Sequence, residues 1–97
     1  MAAQITIEAA ESDRGLRYRV TVQEGNTSTQ HLVSLQESYR NQLAGPDTSV
    51  EQLLRKSFEF LLAREAKESI LKSFDLRIIS RYFPEYEKEI RRTLSVR

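Results

Sequence analysis

The only histidine of the chain, His31, is the first residue to consider for acid–base or metal chemistry. Histidine titrates near neutral pH and is the commonest metal ligand in proteins. However, His31 alternates with Val33 and Leu35 along an apolar strand face, which favours a packed, hydrogen-bonded side chain over a ligand or a base. Metal sites need several ligands, and the sequence has no cluster of His, Cys, Asp and Glu with ligand spacing. We therefore expect no metal and no cofactor.

Three carboxylates at alternate positions, Glu85, Glu87 and Glu89, have the residue type needed for general acid–base catalysis. Two carboxyl groups share that work when their surroundings separate their pKa values. Alternate positions of a helix point in different directions, so these three side chains do not converge, and we interpret them as the solvated start of a helix. The three glycines form neither a nucleophile elbow nor a Gly-rich phosphate loop. We expect no enzymatic activity; a deep pocket around His31 would favour an enzyme instead.

Two arginines, Arg17 and Arg19, are the candidates for contact with nucleic acid. They project from the outer face of the second predicted strand, beside Thr21 and Gln23. Strands that carry Arg and polar residues can enter a DNA groove, but the solvated outer faces of antiparallel sheets have the same composition. The formal net charge of +1 also falls short of the basic stripe typical of nucleic-acid binders. We interpret this face as solvated, with DNA binding as the alternative.

The composition narrows the class of protein further. The chain has no cysteine, which excludes disulfides, thiolate zinc sites and a cysteine nucleophile. No stretch approaches the roughly 18 apolar residues that span a bilayer. The first five residues lack the basic and apolar regions of a signal peptide. We expect a cytoplasmic protein without a membrane partner, folded as a single domain over residues 1–97.

The elements that must position these residues begin with strands. Period-two alternation over residues 4–9, 15–23 and 27–35 predicts three strands. A polar loop over residues 11–15 joins the first two. Gly25 and Asn26 suit a type II′ turn between the second and third. Residues 1–35 are thus predicted to form a three-stranded antiparallel meander that is apolar on one side.

Residues 36–97 have helical patterns. A short helix over 36–43 ends before Gly45. A capping box, in which Thr48 bonds the amide of Glu51 and Glu51 returns the bond, opens a helix over 49–64. The predicted fold class is α+β, with three to four helices packed on one face of the meander.

The segment from residue 64 to 73 has two interpretations. One long helix explains its i, i+4 pattern, and so does a break near Ala66 followed by a short helix. We favour the break, because a helix of about 25 residues is roughly 38 Å long. Asp75 is the predicted N-cap of the next helix. Pro84 ends that helix, and a last helix follows with Tyr86 on its apolar line.

Six of the eight aromatic residues lie between positions 58 and 86. The apolar arc of the predicted helix over 49–64 is about 200° wide, against about 100° for a typical surface helix. Phe60 and Leu62 extend it on either side. We predict an interaction surface for a protein partner or a second copy at Phe60, Leu62, Tyr82 and Tyr86. In the alternative, the core alone accounts for these clusters.

The second half of the chain resembles a small bacterial protein family without a known function. The resemblance lies in three motifs: SFEFLLARE at 57–65, FDL at 74–76 and YFPEY at 82–86. It implies a single-domain bacterial protein and brings no activity with it.

A strand ending at Leu35, a short helix to Leu43 and a helix beginning at Val50 are similar in order to a ribbon-helix-helix DNA-binding domain. This resemblance implies a strand that pairs with a second copy and places Ser28, Gln30 and Leu32 in the major groove. The sequence favours a small non-enzymatic interaction or regulatory module, with a homodimer as one form. A DNA-binding repressor or antitoxin is the alternative.

Overall fold

A computed structural model describes residues 3–10, 17–45 and 47–95. The elements in chain order are β1 Gln4–Ala10, β2 Arg17–Glu24, β3 Thr27–Ser34, α1 Glu37–Leu43, α2 Val50–Leu62, a 3-10 turn at Lys67–Ser69, β4 Ser73–Asp75, α3 Ile78–Tyr82 and α4 Tyr86–Ser95. The predicted loop over 11–15 and Pro46 lie outside the described residues. Within the described residues the architecture is α+β, with one four-stranded sheet and four α-helices. Across the described ranges, no helix is long and apolar enough to cross a membrane.

β1, β2 and β3 pair antiparallel in chain order, and their register places alternate residues on a common inner face. Ile7 lies opposite Val20, and Val20 lies opposite His31. Val20 and Val22 in the central strand are completely buried. Period-two alternation in the sequence therefore corresponds to the two faces of the sheet, as the chemistry of a half-buried strand requires.

The hairpin between β2 and β3 turns at Gly25, which has a φ of 59°. No non-glycine residue in the described part of the chain has a positive φ, so Asn26 has a negative one. A type II′ turn needs positive φ at its first central residue only, whereas type I′ needs it at both. This pattern matches the predicted type II′ turn. The pair that closes the hairpin is Glu24 with Thr27.

A fourth strand, which the sequence pattern did not predict, completes the sheet. β4 runs parallel to the end of β3. The amide of Leu32 donates to the carbonyl of Lys72 at 2.7 Å, and the amide of Leu76 donates to the carbonyl of Ser34 at 2.9 Å. The sheet is therefore mixed, in the order β1-β2-β3-β4, and the prediction of three strands was incomplete.

We predicted Asp75 as the N-cap of a helix, but it is instead the last residue of β4. One of its carboxylate oxygens accepts from the amide of Arg77 at 3.0 Å, and the other accepts from the hydroxyl of Ser34 at 3.0 Å. α3 begins only at Ile78 and has no side-chain cap. The carboxylate of Asp75 does accept from a backbone amide, but in a turn. Asp forms such a bond to the amide two residues ahead in turns as well as at helix starts.

α2 ends at Leu62, so the break in the helical pattern exists and lies slightly upstream of Ala66. The amide of Arg64 donates to the carbonyl of Leu61 at 2.9 Å, which tightens the last turn. At the other end the cap is Ser49, whose hydroxyl accepts from the amide of Gln52 at 3.1 Å. The predicted cap at Thr48 was one residue too early. Ser-x-x-Gln fits a capping box as well as Thr-x-x-Glu does.

Replacing Ser49 with alanine is expected to lower the free energy of unfolding by about 1 kcal/mol, because the amide of Gln52 loses its acceptor. Replacing Thr48 with alanine is the matched control, with an expected change within about 0.5 kcal/mol. Urea denaturation followed by circular dichroism measures both. A larger loss for the Thr48 variant would show that Thr48 is the cap.

The helices bury their apolar sides against the inner face of the sheet and against one another. α2 packs against both β1 and α4. The buried apolar residues of this core are Ile5, Val20, Val22, Val33, Leu35, Tyr39, Leu43, Leu53, Leu54, Phe58, Phe60, Leu61, Ile70, Leu76, Ile79, Tyr86 and Ile90.

Candidate functional site

The four residues of the predicted interaction surface have different environments. Phe60 is 8% exposed and Tyr86 is 0% exposed, whereas Leu62 is half-buried. Tyr82 is 66% exposed. Phe60 and Tyr86 therefore belong to the core and are unavailable to a partner in this structure.

Other parts of the same chain cover the wide apolar arc of α2. The ring of Phe60 makes edge contacts with Phe83 at 5.8 Å and with Tyr86 at 5.2 Å between centroids. The guanidinium of Arg64 lies 3.6 Å from the centroid of Phe60. α4 and the segment before it thus supply the covering surface that we predicted from a partner or a second copy.

A buried hydrogen-bond chain fixes Tyr86 against α2. The hydroxyl of Ser57 donates to the carbonyl of Leu53 at 2.8 Å, since a carbonyl only accepts. Tyr86 then donates to the Ser57 hydroxyl at 2.7 Å. Burial raises the pKa of Tyr86 well above its usual range, so the phenol stays protonated and keeps this donor role.

Tyr82 borders an apolar groove of about 260 Å³ between the end of α2, the 3-10 turn, β4 and α3. The lining residues are Leu61, Glu65, Ser69, Ile70, Leu71, Phe74, Ile78, Ile79 and Tyr82. Among the described residues, only Leu71 at 46% and Tyr82 at 66% are large apolar side chains with high exposure. Both line this groove, so the exposed apolar surface is concentrated at one place.

Charges of opposite sign flank the groove. Glu65 is the one charged residue in its lining. A second hollow, which shares Ile78 with the groove, is lined by Arg77 and Arg81 together with Gln36 and Asp75. Within 3–10, 17–45 and 47–95, neither Glu65 nor Arg81 has an ion-pair partner. Glu65 is therefore an acidic residue in the groove wall after α2, and Arg81 lies with Arg77 and Asp75 in the neighbouring hollow.

The buried side chain of His31 hydrogen-bonds to the backbone of Leu71, at the rim of the groove. It is 1% exposed, and its Nδ1 donates to the carbonyl of Leu71 at 2.8 Å. Its Nε2 is 2.8 Å from the hydroxyl of Thr29 and accepts from it, because the proton of the neutral ring is on Nδ1. Burial lowers the pKa of His31. Both ring nitrogens have structural partners, as the sequence predicted for a packed histidine, and His31 lines neither hollow.

Lys67 is a buried charge that the sequence pattern did not reveal. Its side chain is 5% exposed, with Nζ 2.6 Å from a carboxylate oxygen of Glu68 and 3.4 Å from one of Glu24. The hydrogen bond to Glu68 raises the pKa of Lys67. The ion pair between Lys67 and Glu24 attaches the wall of the groove to β2, and the bond between His31 and Leu71 attaches it to β3.

Arg17 and Arg19 lie exposed on the outer face of β2, as predicted from the alternation. The register places Glu8 of β1 beside Arg19, and Ala10 beside Arg17. A carboxylate next to one of two arginines weakens the positive potential that DNA contact requires.

The order of elements that resembles a ribbon-helix-helix domain corresponds to a different arrangement in space. β3 pairs with β2 along its whole length and with β4 over Leu32–Ser34. A ribbon strand needs a free edge along which a second copy can pair. β3 is instead an inner strand of the sheet, and the resemblance receives no support from this topology.

The described residues contain no group of three or more His, Cys, Asp or Glu side chains that could hold a metal ion. The groove beside Leu71 and Tyr82 concentrates exposed apolar surface of the described residues in one place. Comparison of the chain with protein-family models, with curated proteins and with solved structures gives no match.

Proposed function

We propose that the protein is a small non-enzymatic interaction module that binds an apolar segment of a protein partner in the groove between α2, β4 and α3. The observation that carries this proposal is the placement of Leu71 and Tyr82, the two highly exposed large apolar side chains of the described residues, on the border of one groove. Exposed apolar surface concentrated in this way is typical of interaction sites.

The groove, with a volume of about 260 Å³, is large enough for one or two apolar side chains of a protein. Tyr82 suits a protein interface, because its ring contributes apolar contact while its hydroxyl stays in water. One or two apolar anchor residues of a partner would fill the groove and bury Leu71.

The charges next to the groove favour one orientation of the bound segment. A basic residue of the partner beside its anchor would face Glu65, and an acidic residue on the other side would face Arg81. Such pairs at the rim select the partner and its direction more than they add affinity.

A double variant, in which serine replaces both Tyr82 and Leu71, is expected to bind at least about 30-fold more weakly. Anchors of this kind contribute about 2 kcal/mol or more to binding. The probes are peptides selected from a random library against the unchanged protein. Fluorescence anisotropy measures their affinity, and amide chemical shifts map their position. Both substitutions are at exposed sites, so the free energy of unfolding should change little.

Gln30 lies on the outer face of the sheet. Replacing it with serine is the control and should leave peptide affinity unchanged. Selected peptides that bind the Tyr82 and Leu71 variant as tightly as the unchanged protein would contradict the proposal. So would chemical-shift changes confined to the outer face of the sheet.

A further inference from the structure

β1 is an edge strand whose outer side is only partly protected. Within the described ranges no strand pairs with its outer side. All seven residues of Gln4–Ala10 pair with β2 in one unbroken register. Natural edge strands are commonly shortened, bulged, or given Pro or Lys, which discourages pairing with another chain. β1 is seven residues long and has no bulge, Pro or Lys. Its one charged residue is Glu8, and Arg55 contacts its outer side at Ile5, so the edge at Ile7 and Ala9 is open to a further strand.

The hairpin between β2 and β3 determines which backbone groups face that edge. A two-residue loop makes the closing pair, Glu24 and Thr27, a hydrogen-bonded pair. Hydrogen-bonded and non-bonded pairs then alternate along the antiparallel ladder. Val22, Val20 and Tyr18 consequently direct their N–H and C=O groups toward β3 and away from β1.

Ile5, Ile7 and Ala9 lie opposite these three residues in β1. They form the non-bonded pairs of the β1–β2 ladder and direct their own N–H and C=O groups to the free edge. One contact supports this orientation independently: the carbonyl of Ile5 accepts from Nη1 of Arg55 at 2.6 Å, which is outside the ladder. The outward groups of Ile7 and Ala9 have no such side-chain partner among the described residues.

We propose that two copies of the protein pair along β1, antiparallel, with the two Ile7 residues opposite each other. In this register Ile5 of each copy lies opposite Ala9 of the other. The N–H and C=O groups that meet across the new pairing are therefore those of Ile5, Ile7 and Ala9, which point to the free edge. The two Ile7 residues exchange two hydrogen bonds. Ile5 and Ala9 exchange the rest, since a carbonyl such as that of Ile5 has a second lone pair beside the one that Arg55 uses.

Length and charge select this register over its neighbours. It pairs every residue of β1, from Gln4 opposite Ala10 onward, whereas any shift shortens the ladder. It also places each Glu8 opposite Thr6. A shift of two residues toward the end of the strand would put the two Glu8 carboxylates opposite each other, and like charges in that position are destabilising. The half-buried Ile7 side chains meet on the inner face and bury one another further.

The paired molecule has one continuous eight-stranded sheet with all its helices on the same side. The groove borders β4, at the other edge of the sheet, so pairing leaves two grooves free. The inference is therefore independent of the proposed function and adds to it. Two grooves on one rigid sheet would bind a partner that carries two segments more tightly than one groove does.

Amide hydrogen exchange across a dilution series tests the pairing residue by residue. The amides of Thr6 and Glu8 donate to β2 and should be protected at every concentration. The amides of Ile7 and Ala9 should exchange freely in dilute protein and about tenfold or more slowly in concentrated protein. Sedimentation at the same concentrations should show a dimer that dissociates on dilution.

Replacing Ala9 with proline removes an outward N–H at an exposed position without removing a bond of the β1–β2 ladder. The dimer should dissociate about 30-fold more readily, because each copy loses one interstrand hydrogen bond. Replacing Ala9 with threonine keeps the N–H and should leave dissociation nearly unchanged. A monomer at all concentrations would overturn the inference, and so would a dimer whose Ile7 and Ala9 amides remain unprotected.

Discussion

Replacing Phe58 with alanine is expected to lower the free energy of unfolding by about 3–5 kcal/mol, the largest effect of any single substitution considered for this chain. Phe58 is completely buried on α2. Its ring centroid lies 5.4 Å from that of His31 and 6.1 Å from that of Phe74. The substitution therefore opens a cavity where α2 meets both β3 and β4. A domain with a total stability of about 5–15 kcal/mol would lose much of it.

Urea denaturation followed by circular dichroism measures this loss. Replacing Phe58 with leucine keeps most of the buried volume and should cause a smaller loss, below about 1.5 kcal/mol. Replacing the exposed Leu71 with alanine should change the free energy of unfolding by no more than about 0.5 kcal/mol. Equal losses for the Phe58 and Leu71 variants would show that Phe58 is not packed as described.

The second large effect is the loss of stability in acid through His31. Burial lowers the pKa of His31 in the folded protein below its ordinary value of 6.5. Just below pH 6.5, the unfolded chain then binds a proton that the folded protein does not, so the free energy of unfolding falls as the pH falls. The slope is at most about 1.4 kcal/mol per pH unit. The slope fades as the pH rises past 6.5 and is absent about one unit or more above it.

Denaturation curves between pH 7 and pH 4.5 measure this slope, and the sequence makes its assignment simple. The chain has one histidine. The lowered pKa of Glu68, which results from its bond to Lys67, affects stability only below its ordinary value of 4.5. Replacing His31 with asparagine retains an N–H donor near the carbonyl of Leu71 and should remove the slope. A slope that persists in this variant would assign the effect to carboxylates instead.

Replacing His31 with alanine should lower the free energy of unfolding at pH 7 by about 2–4 kcal/mol, because it leaves both a cavity and an unsatisfied carbonyl at Leu71. The asparagine variant should lose less. An alanine variant as stable as the asparagine variant would indicate that the bond to Leu71 adds nothing to stability.

Local patterns predicted the elements whose own residues determine their environment. Alternation in β2 correctly placed Arg17 and Arg19 outside, and Val20 and Val22 of the opposite face are buried. The helical period correctly predicted α2, whose apolar residues Leu54 and Phe58 are buried in the core. In both cases the repeat extends over enough residues for one face to differ clearly from the other.

β4 could not be predicted in this way, because three residues are too few to show a period. Its conformation follows from pairing with Leu32–Ser34, which lie far away in the sequence. The groove depends on the same pairing. Its exposed rim residue Leu71 therefore had no sequence signal, although Tyr82 was among the predicted interaction residues.

Phe60 and Tyr86, predicted at the interaction surface, are buried in the core for a related reason. A helical wheel gives the width of the apolar arc of α2, but it does not say which element covers the arc. α4 covers it, and the hydrogen bond between Tyr86 and Ser57 fixes that packing. Whether an apolar excess faces a partner or the same chain is decided by tertiary structure.

The bond from His31 to the carbonyl of Leu71 joins residues 40 positions apart in the chain. The rim of the groove is consequently a conformational epitope and not a linear motif. A peptide that contains only the segment around Leu71 would lack the residue that holds it in place. A partner that recognises the groove would thus select folded molecules over nascent or damaged ones, and its binding would protect the fold by mass action.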